Sequence, residues 1–284
     1  MSAVPKAGVM GWPVKHSLSP ALHGHWLKRY GIDGTYEAWP VRPEELPDAL
    51  RRLRDEGCRG TNLTVPHKET AMALVDAVDE TARRIGAVNT LVLRDDGTLA
   101  ATNTDAYGLV ENIRAAAPDA VSGNFGGRAA VILGAGGAAR AAVVGLADLG
   151  VREIRIVNRT LERAQALTGL GGDSDTHAVD WDERATALSD AGLLVNTTTL
   201  GMDGQPTLDI GLSELPGDAV VNDIVYAPLE TPLLAAARAR GNPVVDGLGM
   251  LLHQARAGFR AWFGVDPQVD DELRAAVLTA RDQA

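Results

Sequence analysis

Apolar residues Ala7 to Met10 run into Gly11, and from Pro20 to Tyr30 apolar positions recur at helical spacing. Ser19 stands as N-cap and Pro20 as first helical residue, so the pattern predicts strand, loop, helix. The same logic predicts a strand over Thr35–Pro40, an amphipathic helix over Pro43–Glu56 and a strand over Gly60–Val65. Helices are expected around Lys68–Leu74 and Asp79–Ile85. The apolar run Ala87–Arg94 then turns at Asp95-Asp96-Gly97 and returns through Leu99–Thr102, which predicts a hairpin.

A helix should open at Asn103-Thr104-Asp105 and run to about Ala116, before a Gly, Pro and Ser-rich stretch, Pro118–Arg128, of the kind that separates domains. Strands are then expected at Ala129–Leu133, Glu153–Val157, Leu193–Asn196 and Ala219–Ile224, with helices at Ala138–Leu149 and Leu161–Leu167 between them. Strands alternating with helices predict a parallel sheet. Gly249–Phe263 and Asp270–Ala280 read as helices that fold back onto the first domain.

Composition narrows the class. The 284 residues are 45% hydrophobic and 23% charged, which at a prior of about 150 residues per domain fits two modest globular domains. Aromatics make up only 4%, so small aliphatic side chains must build the core, which favours α/β architecture. A formal net charge of -10 disfavours nucleic acid, and a phosphate ligand would need local Arg, Lys or backbone N–H groups. The single cysteine, Cys58, excludes an internal disulfide and reads as a buried small residue. No leader pattern opens the chain and no run of about 18 apolar residues occurs, so a soluble cytoplasmic protein without a membrane partner is expected.

The sharpest local signal is the glycine turn Gly134-Ala135-Gly136-Gly137-Ala138, placed where a buried strand passes to an Ala-rich helix, with another strand within about 30 residues. Gly134 can take the turn, Gly136 and Gly137 leave backbone bare for a pyrophosphate, and Ala139 stands where a third glycine would let helix and sheet pack closely. Free N–H groups at the helix start complete an anion site. At the end of the next strand no acidic residue awaits a ribose 2′-OH. Asn158, Arg159, Thr160 and Arg163 stand there instead, and two guanidinium groups suit the 2′-phosphate of NADP.

In the first half, polar residues interrupt strand ends: Ser17 and Ser19, Thr64 and Lys68, Asn89, and Asp105. Hydroxyls, an amide, an ammonium and a carboxylate converging on one cleft would bind a polyhydroxylated, anionic small molecule. Lys68 and Asp105 have the chemistry for acid–base work on a carbinol or ketone, and equally that of a structural ion pair; their spacing does not choose. His16, His23, His25 and His67 lack carboxylate or thiol companions at ligand spacing, so no metal is expected, and His16 and His67 should pack or hydrogen-bond at the cleft wall.

Seven ordered motifs together resemble the shikimate dehydrogenase family over almost the whole chain: GWPVKHSLSP at Gly11–Pro20, NLTVPHK at Asn62–Lys68, GAVNT at Gly86–Thr90, NTD at Asn103–Asp105, GAGGA at Gly134–Ala138, NRT at Asn158–Thr160, and DGLGM at Asp246–Met250 followed by Gln254. Gly24, where the family commonly has Asn, and Thr197, in place of a small Ala, depart from the usual pattern without touching a named ligand. The resemblance implies an N-terminal α/β substrate domain, 1–105 completed by helices in 248–284, and a C-terminal Rossmann-type NADP-binding domain, 106–247, with a parallel sheet and a cleft between the two.

It also implies NADPH-dependent, reversible reduction of 3-dehydroshikimate to shikimate, a step of aromatic amino-acid biosynthesis. Ser17 and Ser19, assisted by Tyr226, would bind the substrate carboxylate, and Thr64, Asn89 and Gln254 the ring hydroxyls. Lys68 and Asp105 would be the catalytic pair. Gly134 to Ala138 would hold the pyrophosphate, Asn158 to Arg163 the 2′-phosphate, and Ile224 and Gly247 the nicotinamide, with Glu80 as a further cofactor contact. The rivals are a quinate/shikimate dehydrogenase preferring NAD, which would carry an acidic residue near 158, and a non-catalytic NADP-sensing protein, which need not keep Lys68, Asp105, Asn89 and Gln254 together. A monomer or a homodimer fits either case.

Overall fold

Strand β1 (Lys6–Gly11) is buried along nearly its whole length and leads through a loop into α1 (Ser19–Arg29) in a computed structural model that describes residues 4–283. The expectation of no leader falls partly on residues 1–3, which lie outside the described residues. The chain continues through β2 (Thr35–Pro40), α2 (Leu46–Asp55), β3 (Gly60–Leu63), β4 (Ala77–Val78), α3 (Glu80–Ile85), β5 (Thr90–Leu93) and β6 (Leu99–Thr102). Helix α2 buries Leu46, Ala49, Leu50 and Leu53, the spacing of one helical face. Asp79 caps α3 by accepting the Ala82 amide, and Gly86 ends it with a φ of 75°, where a side chain would be strained.

The second half runs α4 (Asp105–Ala116), α5 (Pro118–Ser122), β7 (Ala129–Leu133), α6 (Gly137–Asp148), β8 (Glu153–Asn158), α7 (Leu161–Gln165), β9 (Asp175–Asp180), β10 (Ala191–Asn196), β11 (Val220–Asp223), α8 (Pro232–Ala239) and β12 (Val244–Val245). Helices α9 (Leu248–Phe263) and α10 (Asp271–Asp282) close the chain.

Contacts divide these elements into two units. The first reaches to Thr104 and resumes at Leu251; the second is Asp105–Met250. The first holds a mixed sheet in the order β2-β1-β3-β5-β6-β4, parallel at β2-β1-β3 and antiparallel through β5 and β6. The end of the chain packs here: Trp262 Nε1 donates to Leu91 O at 3.0 Å and Arg29 pairs with Asp270 at 2.6 Å. The second unit holds an entirely parallel sheet, β12-β11-β10-β7-β8-β9. Its strand order reverses beside β7, the place where open α/β sheets bind ligands beyond their strand ends. Cores of small aliphatic residues lie on both faces of that sheet, among them Ala130, Ile132, Ala142 and Val143 on one and Val131, Leu133, Leu194 and Val221 on the other. Cys58 is buried in the first unit's core.

Several expectations change. The Pro118–Arg128 stretch lies inside the second unit, where it forms α5 and a 3-10 turn at Asn124–Gly127 that buries Phe125. Lys68–Leu74 makes only a 3-10 turn, Thr70–Ala73, and Pro43–Glu45 is a 3-10 turn ahead of α2. Strands β4, β9 and β12 and helix α8 carry too weak a pattern to be read. Strand β9 has an exposed, polar outer face and owes its form to its parallel pairing with β8. Ser19 is the first residue of α1 rather than its cap; Leu18 occupies the cap position, and the Ser19 amide turns back to Ser17 Oγ at 3.3 Å.

Candidate functional site

In the first unit the candidate ligands follow strand ends that are locked together by the backbone. Thr64 N donates to Met10 O at 2.9 Å and Trp12 N to Val65 O at 3.0 Å, so the exits of β1 and β3 run side by side. Gly11 permits this approach, because a Cβ there would collide with the Thr64 methyl. Lys68, half-buried, has its carbonyl bound by the Val88 amide at 2.8 Å, which places it next to Asn89 in the fold. Of the histidines, His67 is buried and its Nε2 lies 2.8 Å from Val41 O, whereas His16 is exposed and does not pack as expected: the loop following Gly11 projects it outward.

The first unit also holds a buried chain of neutral polar groups. Tyr36 Oη donates to Asn62 Oδ1 at 2.7 Å, and Asn62 Nδ2 donates to Asn89 O and to Thr90 Oγ1, both at 3.0 Å. Thr90 Oγ1 donates to Asn89 Oδ1 at 3.0 Å, and that oxygen also takes the Thr104 amide at 2.9 Å. Asn89 Nδ2 reaches Thr104 Oγ1 at 3.0 Å and Gln254 Oε1 at 3.4 Å. The fold thus unites Asn89 and Gln254, which are 165 residues apart in sequence. Asn89, at 2% exposure, is oriented on both faces of its amide by groups of the protein.

Tyr36, Asn62, Thr90 and Thr104 escaped the sequence reading as site-forming residues. Asn62 did leave a trace: it is a polar residue within a strand whose four residues are all buried. Burial pushes the Tyr36 phenol well above its ordinary pKa, a shift opposed by a hydrogen bond with Ser19. His23 stacks on Tyr36 with ring centroids 3.8 Å apart and planes 6° apart. Its two ring nitrogens are buried without a hydrogen-bond partner among the described residues, and burial lowers its pKa to about 3.

In the second unit the candidate cofactor site is mostly backbone. Gly134 follows β7 with a φ of 108°, and a Cβ there would lie 2.8 Å from Thr197 Oγ1. At Gly136 and Gly137 an added Cβ would enter open space, so bare backbone faces room for a ligand at the start of the twelve-residue α6. Ala139 is fully buried, which allows α6 to lie close against the sheet. Asn158 ends β8 and donates to Thr160 O at 2.8 Å, while Arg159, Thr160 and Arg163 are exposed. Neither arginine is ion-paired within the described residues, which leaves both guanidinium groups available to a phosphate. This donor set fits a dinucleotide with an additional phosphate.

Ile224 and Tyr226 leave β11 beside Gly247, where a Cβ would overlap the Ile224 carbonyl. Burial raises the pKa of the Tyr226 phenol. Asn112 of α4 fixes the segment after β12 by donating to Asp246 O at 2.7 Å, and Gly249 makes room for that side chain. Glu80 is exposed at the start of α3 in the first unit; the other cofactor candidates all belong to the second. Asp105 is 5% exposed as the first residue of α4.

Known proteins resemble this chain over nearly its full length. The family descriptions "Shikimate dehydrogenase substrate binding domain", "Shikimate / quinate 5-dehydrogenase" and "Shikimate 5'-dehydrogenase C-terminal domain" match residues 9–91, 116–201 and 247–277. A shikimate dehydrogenase (NADP(+)) of Paramagnetospirillum magneticum is 60% identical over 96% of this chain and 98% of its own length. The crystal structure of shikimate 5-dehydrogenase from Thermus thermophilus in complex with NADP(H) and shikimate is 37% identical, with a TM-score of 0.83 and 99% of both chains covered. Quinate dehydrogenase from Corynebacterium glutamicum in complex with NAD is 31% identical, with a TM-score of 0.89 over 97% of this chain and 99% of that one. Because these family descriptions together cover most of the chain and a curated relative is 60% identical over nearly its full length, the chain belongs to the shikimate dehydrogenase family.

Proposed function

We propose that this protein catalyses the reversible, NADP-linked interconversion of shikimate and 3-dehydroshikimate, a step toward chorismate and the aromatic amino acids. The observation that carries the reading is the 60% identity to a shikimate dehydrogenase (NADP(+)) over 96% of the chain, joined to Arg159 just after β8 and Arg163 in α7, near the strand end where an NAD enzyme would place a carboxylate.

In this reading Ser17 and Ser19 hydrogen-bond the substrate carboxylate with Tyr226, while Thr64, Asn89 and Gln254 hold the ring hydroxyls. NADP+, when bound, accepts the hydride that leaves the carbinol carbon. As that C–H electron pair departs and the C–O bond becomes a carbonyl, the hydroxyl proton passes to Lys68 Nζ in its neutral form, with Asp105 as its partner; in the reducing direction Lys68 returns it. Gly134, Ala135, Gly136, Gly137 and Ala138 present backbone N–H groups to the pyrophosphate, and Asn158, Arg159, Thr160 and Arg163 hold the 2′-phosphate. Ile224 and Gly247 bracket the nicotinamide, with Glu80 as an additional contact. The first unit serves as substrate domain and the second as NADP domain, in a cytoplasmic monomer or homodimer.

The test follows reduced-nicotinamide absorbance with shikimate or quinate as substrate and NADP+ or NAD+ as acceptor. Turnover of shikimate with NADP+ above every other combination is expected. Preference for quinate with NAD+ would transfer the protein to the quinate branch, and no turnover at all would favour a sensing role.

A further inference from the structure

Asp223 ends β11 fully buried, and among the described residues no cation pairs with it. A carboxylate removed from water costs several kcal/mol unless donors replace its hydration. Here three segments supply them. Oδ1 accepts Asn196 Nδ2 from the end of β10 at 2.9 Å and the Val225 amide at 3.0 Å, and Oδ2 accepts the hydroxyl of Thr231, the α8 cap, at 2.7 Å.

The partners extend the knot toward the cofactor turn. Asn196 Oδ1 takes the Thr198 amide at 3.0 Å and its hydroxyl at 2.7 Å, and Asn196 O takes the Ile224 amide at 3.1 Å. The neighbouring Thr197 donates both its amide, at 2.9 Å, and its hydroxyl, at 2.6 Å, to Leu133 O, the last residue of β7 before Gly134. Asp223 is therefore the point at which the segment Ile224–Tyr226 is fastened to the loop that abuts the glycine turn. Val225, whose amide it holds, lies between the two residues assigned to nicotinamide and substrate.

We infer that Asp223 is a positioning residue for hydride transfer, holding Ile224 and Tyr226 in register with the glycine turn through Val225, Asn196 and Thr231. The inference rests on the proposed NADP-linked reaction. A carboxylate suits the task because its two oxygens accept from several donors at once, whereas an amide of the same shape turns one acceptor into a donor facing the Thr231 hydroxyl. Burial raises the Asp223 pKa, in keeping with the cost of placing it there.

The test compares the wild-type enzyme with Asp223→Asn for thermal midpoint, kcat, KM for shikimate and for NADP+, and the primary isotope effect with shikimate deuterated at the oxidised carbon. The expected result is a folded enzyme whose kcat falls by roughly tenfold or more, whose isotope effect rises, and whose KM for NADP+ stays within about threefold, as for small misplacements of reacting groups. A folded variant with unchanged kcat and isotope effect overturns the inference. Should Asp223→Asn fail to fold, Thr231→Val removes a single donor and should raise the isotope effect with a smaller fall in kcat; an unchanged isotope effect there also overturns it. A wild-type enzyme inactive on shikimate with NADP+ would instead fail the functional reading.

Discussion

Thr64 and Gly134 each follow a buried strand, β3 in the first unit and β7 in the second, yet the groups that the two units assemble differ in kind. In the first unit side chains orient one another: Tyr36, Asn62, Thr90, Asn89, Thr104 and Gln254 form a continuous chain of neutral donors and acceptors. At Gly136 and Gly137 the candidate cofactor surface is bare backbone, and the side chains that fasten the neighbouring loop are Thr197, Asn196 and Asp223. A ring bearing several hydroxyls requires directional partners at fixed positions, which only side chains fixed by a second layer can offer. A pyrophosphate requires charge and close approach, which helix-start amides and glycines provide.

The difference predicts which replacements will be felt where. The largest expected effect is that of Lys68→Ala, which should cut turnover by roughly 10²-fold or more while changing substrate affinity much less, measured by steady-state kinetics. Gly136→Ala comes next: since the added methyl meets open space in the protein, folding should be unaffected while KM for NADP+ rises about tenfold, near 1.4 kcal/mol. A variant that binds NADP+ normally would break the claim that bare backbone is the ligand surface. Ser17→Ala is the counterpart in the first unit and should raise KM for shikimate by several-fold with KM for NADP+ and folding unchanged; an unaltered KM for shikimate would return the loop to scaffold.

Smaller effects sharpen the role of the second layer. Tyr36→Phe leaves Asn62 Oδ1 buried without its donor, which should cost about 1–3 kcal/mol, read as a lower denaturation midpoint, together with a raised KM for shikimate. The subtlest prediction concerns pH. His23 is held neutral by burial, with its pKa lowered from 6.5 to about 3, so the unfolded chain binds the extra proton first on acidification. The contribution is intact above pH 6.5 and is lost as pH falls from there toward about 3. In His23→Phe, stability measured against pH should decline less over that window; an identical slope would remove His23 from the account.

The strand-to-helix pattern, the parallel second sheet and the glycine turn were legible because each depends on neighbours close in sequence. Thr35–Pro40, Ala129–Leu133 and Leu99–Thr102 occur at the bounds their hydrophobic pattern predicts. The Ser19 cap was misread because cap and first helical residue differ by one position, and Ser17, two residues earlier, supplies the acceptor. Strand β9 was invisible because an edge strand can be polar and still pair. Candidate ligands such as Ser17, Lys68 and Asn89 stood out as polar residues at strand ends, but their supports did not.

Periodicity and motif order by themselves determined the α/β class and the family and singled out the candidate ligand-bearing turns, because these are written in local spacing. Only the tertiary structure decided that Tyr36 would answer Asn62, that Gln254 would return to Asn89 across 165 residues, and that Asp223 would gather three segments around one carboxylate. Buried polar groups must find partners wherever the fold brings them, and those partners are chosen by packing rather than by distance along the chain.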